Sequence, residues 1–141
     1  MIYFIISTVI FAADQLIKTI VPRHQVMFII NYTENTGAAF GILREHIGFL
    51  IFIGLIIIGV ICYFLKNLDE QQSMLKFGLS FILGGSVANV SDRIMRGYVI
   101  DYIDFKVWPV FNLADICINF GLFLIIVKLI FWSNKQKCQN S

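Results

Sequence analysis

Two acidic residues, Asp101 and Asp115, stand 14 positions apart in a stretch otherwise rich in Val, Ile, Tyr and Phe. Two carboxyls brought together where water is scarce do not both ionise at neutral pH; one keeps a proton and the other carries the charge. Such a pair can deprotonate a water and protonate an amide oxygen or a leaving amine, which is peptide hydrolysis without a covalent intermediate. The two groups would titrate as one coupled unit. The spacing permits contact without proving it, and Asp104 competes for the same role. Other chemistries find less support. His24 and His46 fall in interfacial segments, where solvation is the expected state. Cys117 is two positions beyond Asp115, about 200° round a helix, and points away from it. Asp14, Asp101 and Asp115 could in principle bind a metal, but neither an HExxH motif nor a histidine cluster accompanies them, so no metal and no cofactor are expected.

These residues belong to polar stripes on apolar segments. Asn112, Asp115 and Asn119 recur at i, i+3 and i+7. Gly85, Asn89 and Arg93 recur at i, i+4 and i+8, and Asp14 and Lys18 at i and i+4. At about 100° per residue each set shares one helix face. Ionisable residues in a membrane span cost several kcal/mol and mark functional sites by default. The bland alternative is packing: polar groups pairing across helices at about 0.6–2 kcal/mol each, or Asp14 and Lys18 forming a local ion pair with Lys18 reaching to the interface.

The stripes need helices to carry them. Four segments are long and apolar enough to cross a bilayer, which takes about 20 residues: residues 2–21, 47–65, 75–95 and 111–132. The outer segments, 22–44 and 97–110, contain strand-like runs. In the first, Val26, Phe28, Ile30 and Tyr32 alternate, Glu34 to Gly37 reads as a turn, and Ala38 to Leu43 as a return strand. The reading is a single polytopic membrane domain over residues 1–141: an all-α membrane protein of four transmembrane helices with a small β-hairpin or sheet element at one membrane face. The short loop from Lys66 to Met74 and both termini then lie on one side, and the two strand-like segments on the other. Lys66, Lys76, Lys135 and Lys137 on one side balance Arg23, Arg44, Arg96 and Lys106 on the other, so the positive-inside rule assigns no orientation.

Composition supports this frame. Of 141 residues, 58% are hydrophobic and 14% charged, against about 25% charged in soluble domains. A soluble globule and a disordered chain are both excluded. A net charge of +2 without a basic cluster argues against nucleic acid. Cys62, Cys117 and Cys138 form no CxxC, which disfavours a disulfide framework, a zinc site and thiol-oxidase chemistry. A four-helix proton-coupled transporter using Asp14 and Asp115 is the rival class, though the internal repeat of many carriers is missing.

Five blocks of sequence then carry a resemblance. They are Asp14-Gln15-Leu16-Ile17-Lys18, Asn35-Thr36-Gly37-Ala38-Ala39-Phe40, Gly84-Gly85-Ser86-Val87-Ala88-Asn89-Val90-Ser91-Asp92-Arg93, Val99-Ile100-Asp101-Tyr102 and Phe111-Asn112-Leu113-Ala114-Asp115. In this order, spread from the first span to the last, they closely resemble the bacterial lipoprotein signal peptidase, or signal peptidase II, family. Ile100 and Tyr102 depart conservatively from the family's Val and Phe. The GxGD signature of presenilin-like proteases is missing. The resemblance implies a membrane aspartyl endopeptidase with Asp101 and Asp115 as catalytic dyad. It implies supporting or substrate-binding roles for Asp14, Lys18, Asn35, Gly37, Asn89, Arg93 and Asn112. The substrate would be a diacylglyceryl-modified prolipoprotein, cut just before the lipidated cysteine. The resemblance further implies sensitivity to the cyclic peptide globomycin, residence in the bacterial cytoplasmic membrane with both termini cytoplasmic and the site facing outward, membrane lipid as the surroundings, and a monomer.

Overall fold

A computed structural model describes residues 1–21, 28–37 and 43–139, with side chains to residue 131. Four helices are long and apolar enough to span a membrane: α1 (Ile2–Ile20), α2 (Ile47–Asn67), α3 (Ser73–Arg96) and α4 (Leu113–Gln139). Two strands, β1 (Ile30–Asn35) and β2 (Val99–Ile103), form one antiparallel sheet. The expected fold class is therefore present.

The burial pattern is that of a protein whose solvent is lipid. The largest fully buried side chains are Asn112, Asp14, Asp92 and Ser80, whereas Phe, Ile and Leu cover the outside of all four helices. Hydrocarbon offers no hydrogen bonds, so polar groups turn inward to find partners. Helix α3 is central. Two adjacent glycines let its neighbours approach from different sides. A methyl group at Gly84 would lie 2.7 Å from the Ser7 carbonyl oxygen of α1, and one at Gly85 would lie 2.5 Å from the Ala114 carbonyl oxygen of α4. An apolar cluster of Tyr3, Ile61, Leu65 and Leu83 ties α1, α2 and α3 together.

The element bounds differ from the sequence reading for physical reasons. Helix α4 starts at Leu113, not residue 111, because Phe111 exchanges two backbone hydrogen bonds with Ile103 (2.8 and 3.1 Å) and Asn112 caps the helix. The loop from Lys66 to Met74 is shorter than expected: α2 runs on to Asn67, a 3-10 turn covers Glu70–Gln72, and α3 begins at Ser73. β1 pairs with β2, with Thr33 opposite Asp101 and Asn35 opposite Val99, and the register slips between Ile30 and Thr33. Of the alternating run expected from Val26, Ile30 and Tyr32 lie in β1, Phe28 lies in a turn, and Val26 lies outside the described residues. The return strand expected over Ala38 to Leu43 lies outside the described residues save for Leu43, which is in a turn. Helix α3 ends where Gly97 takes a left-handed φ of 80°, which lets the chain turn directly into β2.

Candidate active site

Asp101 reaches its place because β2 is held on both edges, by β1 on one side and by Phe111 on the other. Asp115 reaches its place because it is the third residue of α4. Between them lies Asn112. Its Oδ1 accepts the Asp115 backbone N–H (2.9 Å), and the Asp115 Oδ2 accepts the Asn112 backbone N–H (3.2 Å). This reciprocal arrangement is a capping box, with Asn and Asp in place of the commoner Ser and Glu. The Asn112 Nδ2 then donates to Asp101 Oδ1 (2.7 Å). One fully buried residue therefore bonds both carboxyl groups, Asp101 through its side-chain amide and Asp115 through its backbone N–H.

The rest of the first turn of α4 is bound as carefully. The Leu113 N–H donates to the Tyr102 hydroxyl (3.1 Å), and the Ala114 N–H to Asp14 Oδ1 (2.9 Å). A helix leaves its first N–H groups without intrahelical partners. Here β2, α1 and the cap supply them.

A buried ionic network stands behind the pair. Lys18 Nζ lies 2.7 Å from Asp14 Oδ2 and 2.6 Å from Asp92 Oδ2, with all three side chains fully buried. Lys18 does not reach out to the interface, so that alternative is set aside. It also donates to Asn89 Oδ1 (3.1 Å), which leaves Asn89 Nδ2 to donate to Asp115 Oδ1 (2.8 Å). The Lys18 cation thereby fixes which way round the Asn89 amide sits. Gln15 (3.0 Å) and Arg96 complete the Asp92 carboxylate's partners. On the other side, Asn35 Nδ2 donates to Asp101 Oδ2 (2.9 Å) while its Oδ1 accepts the Gly37 N–H (3.0 Å). Arg93 Nη2 donates to the Gly37 carbonyl (2.8 Å), and Arg93 Nε is buried with no acceptor among the described residues.

Burial, then the charge of Asp115, pushes the Asp101 carboxyl up to about 6. Asp104, the competing candidate, is in a different setting. Hydrogen bonds from Lys106 and Asn31 hold it down to about 2. It does not line the cavity that Asp101 and Asp115 share. That cavity has a volume of about 1200 Å³ and is lined also by Asn35, Asn89, Arg93 and Phe111. No cluster suited to a metal ion occurs among the described residues.

The structure thus brings Asp14, Lys18, Asn35, Gly37, Asn89, Arg93, Asp101, Asn112 and Asp115 into one connected network. Sequence reasoning passed over Asp92 and Tyr102. Asp92, three positions after Asn89 and one before Arg93, was legible only as part of a motif. Tyr102 gave no signal, because its role depends on the β2–α4 approach.

The family model described as Signal peptidase (SPase) II matches residues 6–131. A lipoprotein signal peptidase of Caldicellulosiruptor bescii is 39% identical over 134 residues, covering 89% of this chain and 88% of its own length. One of Halothermothrix orenii is 38% identical, covering 96% and 98%. A solved structure described as a bacterial membrane enzyme superposes with a TM-score of 0.85 at 27% identity, covering 94% of this chain and 90% of the other.

Proposed function

The chain belongs to the signal peptidase II family, a family of multi-pass bacterial membrane peptidases, and from that premise we propose that Asp101 and Asp115 form its catalytic dyad. The observation that carries this reading is that Asn112 bonds both carboxyl groups, Asp101 through its side-chain amide and Asp115 through its backbone N–H, beside a cavity that both aspartates line. The substrate is a prolipoprotein whose cysteine bears diacylglycerol, and the bond cut is the one just before that cysteine. Acyl chains keep such a substrate in the bilayer, so a site at a membrane surface meets it by lateral diffusion.

The chemistry follows from the two environments. Asp115, facing the N-terminus of α4 and two N–H donors, takes a proton from water as the hydroxide attacks the scissile carbonyl carbon. Asp101, whose affinity for a proton is raised, delivers one to the carbonyl oxygen. The tetrahedral intermediate collapses as Asp115 returns its proton to the nitrogen and Asp101 takes one back from a hydroxyl of the former carbonyl carbon; the C–N bond breaks and leaves a carboxylic acid and an amine, with both aspartates as they began. Seating an apolar substrate strips water from the cavity and strengthens the hold of Asp101 on its proton. Asn35 and Asn89 hold the two carboxyls, and Asp14, Lys18 and Gly37 hold the elements that carry them. The edge of β1 and the turn at Gly37 offer backbone to an extended peptide.

The enzyme works as one membrane-embedded unit and as a monomer, with both termini cytoplasmic and the cavity outward, and globomycin blocks the cavity. Incubating the purified protein with a diacylglyceryl-modified precursor, with and without globomycin, tests this. Asp101→Asn and Asp115→Asn each abolish cleavage while still inserting. Retained cleavage in either variant overturns the dyad, and an untouched precursor with the wild type favours a transporter.

A further inference from the structure

The polar stripe of α4 has a third member that the dyad and its supports leave unused. Asn119 stands four residues beyond Asp115, about 6 Å further along the helix axis. It lines the same cavity and is exposed. Its Nδ2 donates to the Asp115 carbonyl oxygen at 2.8 Å. That local bond uses one of the two N–H groups and leaves the other. The flanking residues Ile116 and Phe120 also line the cavity and are 44% and 46% exposed. The cavity thus has an apolar wall, within a membrane-spanning segment, with one amide set into it. The other amides around the dyad, Asn35, Asn89 and Asn112, are tied to partners on other elements. Asn119 is not placed like them. A polar group kept on the exposed side of a span calls for a ligand that is itself polar at one point and apolar around it.

We propose that Asn119 is a substrate-positioning residue whose free N–H donates to an ester carbonyl of a diacylglyceryl group lying against Ile116 and Phe120. The proposal rests on the peptidase reading above. A lipidated cysteine directly after the scissile bond puts its glycerol esters only a few bonds from the dyad, with the acyl chains leaving along the lipid-facing side of α4. An ester carbonyl accepts hydrogen bonds and donates none, which suits an N–H and excludes a second carbonyl in that place. Membrane glycerolipids carry the same ester, so the shared chemistry is the diacylglyceryl ester, and the experiment separates its two sources.

The test uses the full chain in lipid-free detergent micelles and two synthetic precursors identical but for the lipid: a diester, and a diether that lacks both carbonyls. The wild type favours the diester by about 3- to 10-fold in KM, the worth of one hydrogen bond. Asn119→Leu raises KM for the diester by the same factor, erases the preference and leaves kcat nearly unchanged. Asn119→Thr, which keeps a short donor, retains part of the preference and guards against a folding defect in the leucine variant. If instead added diester phospholipid, but not diether phospholipid, competes with the wild type and not with Asn119→Leu, the ester bound is the membrane's own. Equal losses on diester and diether, or no loss on either, overturn the proposal. Failure of the wild type to cut either precursor defeats the peptidase reading itself.

Discussion

Replacing Asp101 by Asn is expected to make the protein more stable at neutral pH while destroying its activity. The Asp101 carboxyl, ordinarily near 3.8, is raised to about 6 by burial and by the nearby Asp115 charge. Between those values the folded chain holds a proton that the unfolded chain releases. The contribution of this group is therefore fully favourable below pH 4 and is lost as pH rises through 6. A shift of about 2 units, at about 1.4 kcal/mol per unit, makes the penalty about 3 kcal/mol above pH 7. Asparagine carries no charge and escapes it. The substitution has its own cost. Asn35 and Asn112 both donate to Asp101, and an amide with a single acceptor oxygen satisfies one of them, a loss of about 1 kcal/mol. The net expectation is a gain of about 2 kcal/mol at pH 7.5 and a loss of about 1 kcal/mol at pH 4, with the two curves crossing between. Thermal unfolding in micelles, followed by tryptophan fluorescence at pH 4, 6 and 7.5, reads this as shifts of a few degrees in opposite directions. A variant less stable than wild type at pH 7.5, or one with the same pH slope, would refute the reasoning.

Lys18→Met should destabilise by about 3–5 kcal/mol, because it strands two buried carboxylates, Asp14 and Asp92, now 2.7 and 2.6 Å from the ammonium; equilibrium unfolding and the yield of folded protein report it. Gly85→Ala pushes a methyl against the Ala114 carbonyl oxygen and should cost about 1–3 kcal/mol, whereas Gly48→Ala and Gly59→Ala, which meet open space, should stay within about 0.5 kcal/mol. Asn112→Ala removes the helix cap at about 1–2 kcal/mol and strips Asp101 of one of its two amide donors, so precursor cleavage should fall by about 100-fold or more. Asp104→Asn and Cys117→Ala should retain cleavage within a few-fold of wild type, and a dead Cys117→Ala enzyme would reopen thiol chemistry.

Helical periodicity made much of this site legible. Asn112 and Asp115, Asn89 and Arg93, and Asp14 and Lys18 each lie three or four residues apart, and a helix is bound to stack them. The spans were legible because lipid demands a run of apolar residues whose length is set by the bilayer. What lies between elements was not. Lys18 could pair locally with Asp14, and nothing in its own helix reveals that Asp92, 74 positions on, accepts the same ammonium at 2.6 Å. β1 was read as half of a local hairpin, since a nearby turn is the simplest partner for a strand. The neighbour it has among the described residues, β2, arrives only after two helices have crossed the bilayer. The start of α4 was placed two residues early, although Asn112 followed three residues later by Asp115 is itself a start signal. Orientation was illegible because basic residues are evenly divided.

The first turn of α4 is laced to Tyr102 of β2, to Asp14 of α1 and to its own cap at Asn112. Carrying β2 and Asp101 away from the start of α4 must break the Asn112–Asp101 and Leu113–Tyr102 bonds together. The proposed catalytic end is thus tied into the bundle, and heat should silence the enzyme and melt the bundle at the same temperature. Variety among the peptides such an enzyme accepts has to be absorbed by the incoming chain bending to fit, because the anvil it is cut on does not give.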